Sequence, residues 1–293
     1  MLIVGAVVAC TPHPRLGTVI YQHVQVDLAT CKTAPAPAAT TAVAPTVRVT
    51  KNSQSIVFEG RVVLTIHENH EGFPAGSPGP IELEGVSPDG EWILYAIDPQ
   101  GSASLAADGL ALRAIRATGG RSYAVAFGLM HAGYRAWCGG RLVMTTGGDR
   151  IAVHAKRLIV TGPPSWKASP LVRDAAVSFG SLACDGDGVV AQEQPNSTDP
   201  NFFHTHWSLV RVGFDGSVTR LTRPPKTYTD ESPRVVGGIL YFVRSRRGNG
   251  TLYALQNGKV VGPLLSLGYS LGYYGYQDWQ YSVRRSARAP RRG

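Results

Sequence analysis

The sequence predicts an all-β chain folded as a β-propeller, and three observations carry that prediction. A tight turn running into an apolar strand recurs at a fixed interval. Val86-Ser87-Pro88-Asp89-Gly90 leads into residues 91–97 and Trp137-Cys138-Gly139-Gly140 into 141–145. Ala183-Cys184-Asp185-Gly186-Asp187-Gly188 leads into 189–192, and Ser232-Pro233-Arg234-Val235-Val236-Gly237-Gly238 into 239–243. Those strands begin 50, 48 and 50 residues apart, a period that belongs to repeated strand-rich units. The second observation is composition: 34 Gly and 20 Pro in 293 residues suit short strands joined by sharp turns. The third is that no stretch carries a long helical periodicity, residues 103–114 coming nearest.

In chain order, the first strand is expected at residues 17–22 (Gly-Thr-Val-Ile-Tyr-Gln). The next, at 55–59 (Ser-Ile-Val-Phe-Glu), starts only 38 residues on. Both are β-branched and aromatic runs bounded by turn residues. Starts at 17, 55, 91, 141, 189 and 239 then make six four-stranded blades, with seven as the alternative. A partner strand follows in the later units, at Leu110–Arg116, 151–155, 209–212 and 251–255. Asp108-Gly109, Asp215-Gly216 and Asn257-Gly258 are the dipeptides that accept positive φ in hairpin turns. Within the best-formed turn, Pro88 fixes φ, Asp89 accepts hydrogen bonds from the onward backbone and Gly90 takes the positive φ. These residues shape corners and are assigned no chemistry. Residues 273–283 alternate aromatic and polar, with Trp279 and Tyr281 on one face. They are expected to pair with part of 17–30 and close the ring, which removes the last open sheet edges.

Ser87 to Tyr95, Ser-Pro-Asp-Gly-Glu-Trp-Ile-Leu-Tyr, resembles the repeat of TolB-type propellers. In that family a Ser-Pro-Asp-Gly turn enters a strand, and a hairpin carrying Leu-Tyr or Ile-Tyr follows. Leu252-Tyr253-Ala254-Leu255 after Ser232-Pro233, with Asp230-Glu231 just upstream, matches the same unit. The copy at Cys184 to Gly188 is degenerate, and the one at Trp137 to Gly140 departs further. The resemblance covers residues 15–280 and implies a propeller that works by interaction, since a fold alone fixes no chemistry.

The chain divides into an N-terminal segment at 1–14, the propeller at 15–283 and a basic tail at 284–293. Residues 2–9 are apolar and end at Cys10; they resemble the end of a bacterial signal peptide, and Val7-Val8-Ala9-Cys10 resembles a degenerate lipoprotein processing box. The resemblance implies a lipid on Cys10 and a location outside the cytoplasmic membrane. Two departures are plain: no Lys or Arg precedes the run, and it is short. The other reading makes residues 2–9 a buried edge strand. No apolar run reaches the ~18 residues that span a bilayer, so membrane contact is expected only through such an anchor. The net charge is +9, but Arg284, Arg285, Arg288, Arg291 and Arg292 all sit in the tail, and setting those five aside leaves +4. The basicity is a tail property, and no nucleic-acid partner is expected.

Cys138 and Cys184 fall at matching points of successive repeats, each just before a tight turn. Matching points of adjacent blades lie side by side at one rim, so a disulfide is expected between them, with two buried thiols as the alternative. Cys31 is left over in a turn, and no Cys-x-x-Cys occurs.

Residues 147–156 are dense in polar groups between Trp137 and Trp166. Arg135, Trp137, Asp149, Arg150, His154 and Lys156 are the candidate lining of a cleft for an anionic or polar ligand. The plainer reading gives Asp149-Arg150 to a hairpin turn and the others to a solvated strand face. His67-Glu68-Asn69-His70 and His204-Thr205-His206 lack a third ligand at useful spacing, so neither a metal nor another cofactor is expected. A Gly-x-Gly-x-x-Gly loop and a Walker loop are missing from the sequence, and no catalytic residue is assigned. The expectation is a monomeric, non-enzymatic scaffold for a protein or peptide partner. The alternative is an exported hydrolase or lyase on a carbohydrate or lactone, its residues gathered around the central funnel. An intracellular WD-type scaffold is a third reading, which requires residues 2–9 to be folded and Cys138 and Cys184 reduced.

Overall fold

The computed structural model describes residues 9–14, 16–38, 43–50, 52–67, 81–98, 109–129, 131–198, 206–270, 272 and 279–285. These form six antiparallel sheets, five of four strands and one of three, arranged as a six-bladed β-propeller. Sheet one contains β1 (Thr18–Tyr21), β2 (Val24–Asp27) and β3 (Thr33–Pro35), and sheet two β4 (Thr46–Val49), β5 (Ser53–Phe58) and β6 (Arg61–His67). Sheet three is β7 (Ile81–Val86), β8 (Trp92–Ile97), β9 (Leu110–Arg116) and β10 (Ser122–Gly128). Sheet four is β11 (Arg135–Cys138), β12 (Arg141–Thr146), β13 (Arg157–Thr161) and β14 (Ser169–Pro170). Sheet five is β15 (Val177–Asp185), β16 (Gly188–Pro195), β17 (Ser208–Gly213) and β18 (Val218–Arg220). Sheet six is β19 (Thr229–Val236), β20 (Ile239–Arg246), β21 (Asn249–Gln256) and β22 (Lys259–Tyr269). The last strand, β23 (Tyr281–Arg284), returns to sheet one beside β1. Its register is Thr18↔Arg284 through Tyr21↔Tyr281, so the two ends of the chain clasp one blade. That is the expected ring closure; residues 273–278 of the closing segment, and the tail from 286, lie outside the described residues.

The first strands of consecutive blades, β11, β15, β19 and β23, touch one another in turn and line the axis. Most of the turns that repeat in the sequence join each first strand to its second. Ser87 shows why the chain turns there. Its amide donates to Trp92 O at 2.8 Å, its hydroxyl accepts from Trp92 N–H at 2.9 Å, and Asp89 Oδ1 accepts from Glu91 N–H at 3.0 Å, with Gly90 at φ 75. Ser232-Pro233 departs from this scheme. It lies inside β19, at a bulge between Glu231 and Arg234, while β15 bulges between Phe179 and Leu182 and β7 between Leu83 and Gly85. The bulge re-aims side chains on the innermost strands, where the ring is tightest.

Two sequence expectations are corrected. Residues 55–59, expected like 91–97 to open a unit, form a strand but take a different place in their blade from 91–97. Gln54, at one end of β5, accepts from Ile81 N–H at the start of β7, and Glu59, at the other end, shares a cavity with Asp89. Thus β5 runs in the same sense as β7, as a third strand must, and β4 takes the second place; among the described residues this sheet has three strands. The 38-residue interval therefore runs from a second strand to a third and is not a repeat length; the second strands β1 and β4 start 28 residues apart. Residues 151–155 are a loop rather than a strand, because Ala155 sits at φ 42 and the third strand begins only at Arg157. Leu110–Arg116 is β9, the strand expected there, and 103–108, with Asp108, lie outside the described residues.

The core lies between blades. Leu16, Val19, Val26 and Leu28 of blade one pack on Tyr241, Val243, Leu252 and Leu264 of blade six, with Trp279 and Tyr281. Equivalent clusters join blades four and five through Val143, Leu158, Phe179 and Val189, and blades three and four through Trp92, Leu94, Leu142 and Trp166. No helix of the described residues is long and apolar enough to cross a membrane.

Two disulfides staple the ring. Cys138, at the end of β11, is bonded to Cys184, near the end of β15, with Cα atoms 5.5 Å apart. Cys10 is bonded to Cys31. This corrects the expectation of a lipid on Cys10: a sulfur shared with Cys31 carries no thioether, and Cys31 is no longer left over. Cys10 also forms an antiparallel bridge with Leu265, and residues 9–11 add to the outer edge of β22 through Thr11 N–H to Leu264 O and Ser266 N–H to Ala9 O. Residues 1–8 lie outside the described residues.

Candidate functional site

The two faces of the ring differ. Each first strand runs toward the tight turns, and each second strand runs away from them. One face therefore carries the corners around residues 87–91, 139–140, 185–188 and 237–238. The opposite face carries the connection 147–156 between second and third strands, together with Asp98, Gly109, 196–198 and 206–207 beside the strand ends of blades three and five. It also carries connections from one blade to the next, among them 171–176 and 222–228. Of the candidate residues, Arg135 and those of the 147–156 loop belong to this long-loop face, whereas Trp137 lies beside the tight-turn end of β11.

Asp149 organises the 147–156 loop. Its Oδ1 accepts from Ile151 N–H at 2.7 Å, and its Oδ2 lies 2.9 Å from His154 Nδ1. Burial pushes the Asp149 carboxyl up, but the bonds from His154 and Ile151, with the nearby Lys156 charge, more than offset this and hold it below the usual range. Lys156 is buried. Its ammonium donates to His154 O at 3.0 Å, and its backbone N–H donates to Ser178 Oγ at 3.1 Å. Burial brings its pKa down to about 8, against the pull of Asp149. Gly147, at φ 142, makes room for the chain: a Cβ there would lie 2.9 Å from Lys156 Cδ. The loop is tied to the next blade by Ala155 N–H to Asn196 Oδ1 (2.8 Å) and Ser197 N–H to Val153 O (3.1 Å).

The six candidates are therefore not one cleft. Asp149, His154 and Lys156 are brought together, and Arg150 lies in the same loop. Arg135 starts β11 and is spent on an ion pair with Glu84 of β7, which fastens two innermost strands; burial lowers its pKa to about 10. Trp137 stacks edge-on against Trp166 at 6.0 Å, and Trp166 against Trp92 at 5.2 Å. The solvated strand face of the plainer reading is absent too, since Ala152, Val153 and Lys156 are buried. An Asp–His pair can orient an imidazole as a proton acceptor. Here His154 Nε2 is buried and has no partner, so a substrate does not reach it, and the knot reads as a clamp between blades four and five.

Sequence reasoning missed a second polar cluster, under the ring closure. Asp230 is fully buried and holds Arg244 through two parallel bonds of 2.7 and 2.8 Å. Its neighbour Glu231 accepts from the Ser245 hydroxyl and from Trp279 Nε1 at 3.1 Å. Burial pushes Glu231 up to about 7, the Ser245 and Trp279 bonds pull it back, and the Asp230 charge adds to the rise. Asp230-Glu231 was visible as a repeat signature, but its partners lie 14 and 48 residues away. Of the histidine clusters, His67 ends β6 and His206 precedes β17; Glu68 to His70, His204 and Thr205 lie outside the described residues. Among the described residues, no group of three or more His, Cys, Asp or Glu is placed to hold a metal.

No family model matches the chain, and neither does any curated protein. Solved propellers do. A TolB of Agrobacterium tumefaciens is 14% identical, covering 93% of this chain and 99% of that one at TM-score 0.48. A TolB of Acinetobacter baumannii is also 14% identical, covering 90% and 68% at 0.42. An acylaminoacyl peptidase of Pyrococcus horikoshii is 13% identical, covering 81% and 40% at 0.47. The chain thus spans less than half of that peptidase. The likeness is one of propeller architecture, TolB-type propellers included.

Proposed function

We propose that this chain is a non-enzymatic propeller scaffold that works outside the cytoplasmic membrane and binds a protein or peptide through its long-loop face. The observation that carries the reading is the asymmetry of the ring. Among the described residues, sharp turns close one face with little but backbone, whereas the other carries the longer connections 147–156, 171–176 and 222–228 on a rigid frame, the arrangement that supports recognition. Its buried ionic groups support the same reading, because they are consumed in fastening blade to blade: Arg135 with Glu84, Lys156 with the loop, Asp230 with Arg244. Two disulfides and no free cysteine support an oxidising compartment.

The test is photo-crosslinking in the producing cell. A photoreactive residue at Ser197, Lys226 or Arg173, on the long-loop face, is expected to give one discrete adduct. The same residue at Asp215 or Asn257, on the turn face, is expected to give none. Adducts from the turn face alone would overturn the assignment of the face. Blocking thiols before lysis should find all four cysteines oxidised; free thiols would overturn the compartment.

A further inference from the structure

Blade five carries a cavity of about 380 Å³ on the long-loop face, lined by none of the ionic residues of the two clusters above. The end of β16 supplies Glu193 and Pro195, the start of β17 Ser208, the end of β18 Arg220, and the connection after it Arg223 and Pro224; His206 closes the rim. Glu193 lies at the back, its side chain 9% exposed, and accepts from Arg220 Nη2 at 2.5 Å, while Arg220 Nη1 donates to the Ser208 hydroxyl. That engagement fixes the Arg220 plane and cancels one positive charge. Arg223 is exposed at the mouth, and among the described residues it makes no ion pair or hydrogen bond. Gln194 holds His206 in place by accepting its backbone N–H at 3.1 Å.

We propose that this cavity binds a carboxylate, presented by a peptide with an aliphatic side chain beside it. Three observations select that ligand. The mouth offers the planar fork of Arg223, which matches a carboxylate bidentately. The charge left over after the Arg220–Glu193 pair is the single positive charge of Arg223, which balances a monoanion and not a dianion such as phosphate. Pro195 and Pro224 give walls with no N–H donor, so the ligand's aliphatic part meets apolar surface while its charge meets Arg223. The carboxylate can belong to a chain terminus or to an acidic side chain. The inference rests on the partner-binding reading for the peptide. Crosslinking tests whether the face engages a partner at all, and the titration below tests this pocket alone, so the two can fail separately.

The experiment uses the full chain and three short peptides in isothermal titration: acetyl-Ala-Pro-Leu with a free carboxylate, the same peptide as its carboxamide, and acetyl-Ala-Glu-Leu carboxamide. At least one carboxylate-bearing peptide is expected to bind about tenfold or more tightly than the first carboxamide, the loss of one charge-assisted contact. The first peptide winning identifies a chain terminus, the third an acidic side chain. Arg223→Glu is expected to abolish the preference, while Arg61→Glu, on the opposite rim, leaves it intact. If Arg223→Glu fails to fold by circular dichroism, Arg223→Gln is read in its place, with the preference reduced severalfold. Equal binding of acid and amide overturns the proposal, as does no binding at roughly millimolar peptide or an unchanged preference in the Arg223 variants. Inorganic phosphate displacing the peptide better than acetate at equal concentration overturns the ligand class.

Discussion

Glu231 is where one side chain reports on the whole closure. A carboxyl with a folded pKa raised from 4.5 to about 7 binds its proton more tightly in the folded chain than in the unfolded one. Between those pH values the unfolded state has released the proton and the folded state has not, so stability falls as pH rises. The contribution is fully present below about pH 4.5 and is lost as pH passes 7, a total on the order of 3 kcal/mol. Asp89, Asp149 and Asp215 are held below their usual range, so their contribution is lost only as pH falls beneath that range, in a separate window. Urea unfolding between pH 5 and 7 should therefore show stability declining with pH. Glu231→Gln, which keeps an acceptor for Trp279 and Ser245, should flatten that decline. A variant with the slope of the parent would show that Glu231 is not the titrating group.

At the scale of the element, β23 matters through what it covers. Trp279 is 1% exposed and Tyr281 5%, and the Tyr281 hydroxyl donates to Ser232 O at 2.7 Å. A Cβ on Gly250 would lie 2.4 Å from the Trp279 ring, so that glycine in β21 is what lets the indole lie flat on blade six. Deleting residues 272–293 should expose the β1 edge and this aromatic surface and lower the melting temperature by ten degrees or more, an effect of several kcal/mol in a chain of this size. Deleting 286–293 should lower it by about one degree or less. Equal melting temperatures would refute the closure. The closing strand was legible because aromatic–polar alternation survives in Tyr281 and Trp279, and the blades because turn chemistry such as that of Ser87, Asp89 and Gly90 is local. What was hidden depends on contacts between distant segments. Ile151 to Ala155 alternates like a strand, yet Ala152 and Val153 are buried by Ser178 O–H to Ala152 O and Ser197 N–H to Val153 O, from the next blade. Cys10 reads as a processing site because nothing near it in sequence announces that ring closure will bring Cys31 within bonding distance. Asp230 and Arg244 were equally opaque, since a carboxylate shows its role only once its cation is placed.

Across the whole molecule, a closed ring distributes stability over its seams, and this ring reinforces two of them covalently. Cys138–Cys184 closes a 46-residue loop between blades four and five, worth roughly 4 kcal/mol on a chain-entropy argument, and Cys10–Cys31 closes 21 residues, worth roughly 3. The second staple differs in kind. Cys10 packs against the same cluster as Trp279, and its segment pairs with β22, so the disulfide and the closing strand act on one seam between blades six and one. Losses at independent sites add, whereas losses at a shared seam do not. Paired Cys10→Ser and Cys31→Ser substitutions, combined with Trp279→Ala, should therefore deviate from the sum of the separate losses by 1 kcal/mol or more, on the order seen for coupled neighbours. Cys138→Ser with Cys184→Ser should add to Trp279→Ala within about 0.5 kcal/mol, because those residues meet in blades four and five, outside the Trp279 cluster. Chemical unfolding of the two sets decides it. Additivity in both would mean that the N-terminal staple holds only its own segment, and that β23 closes the ring without it.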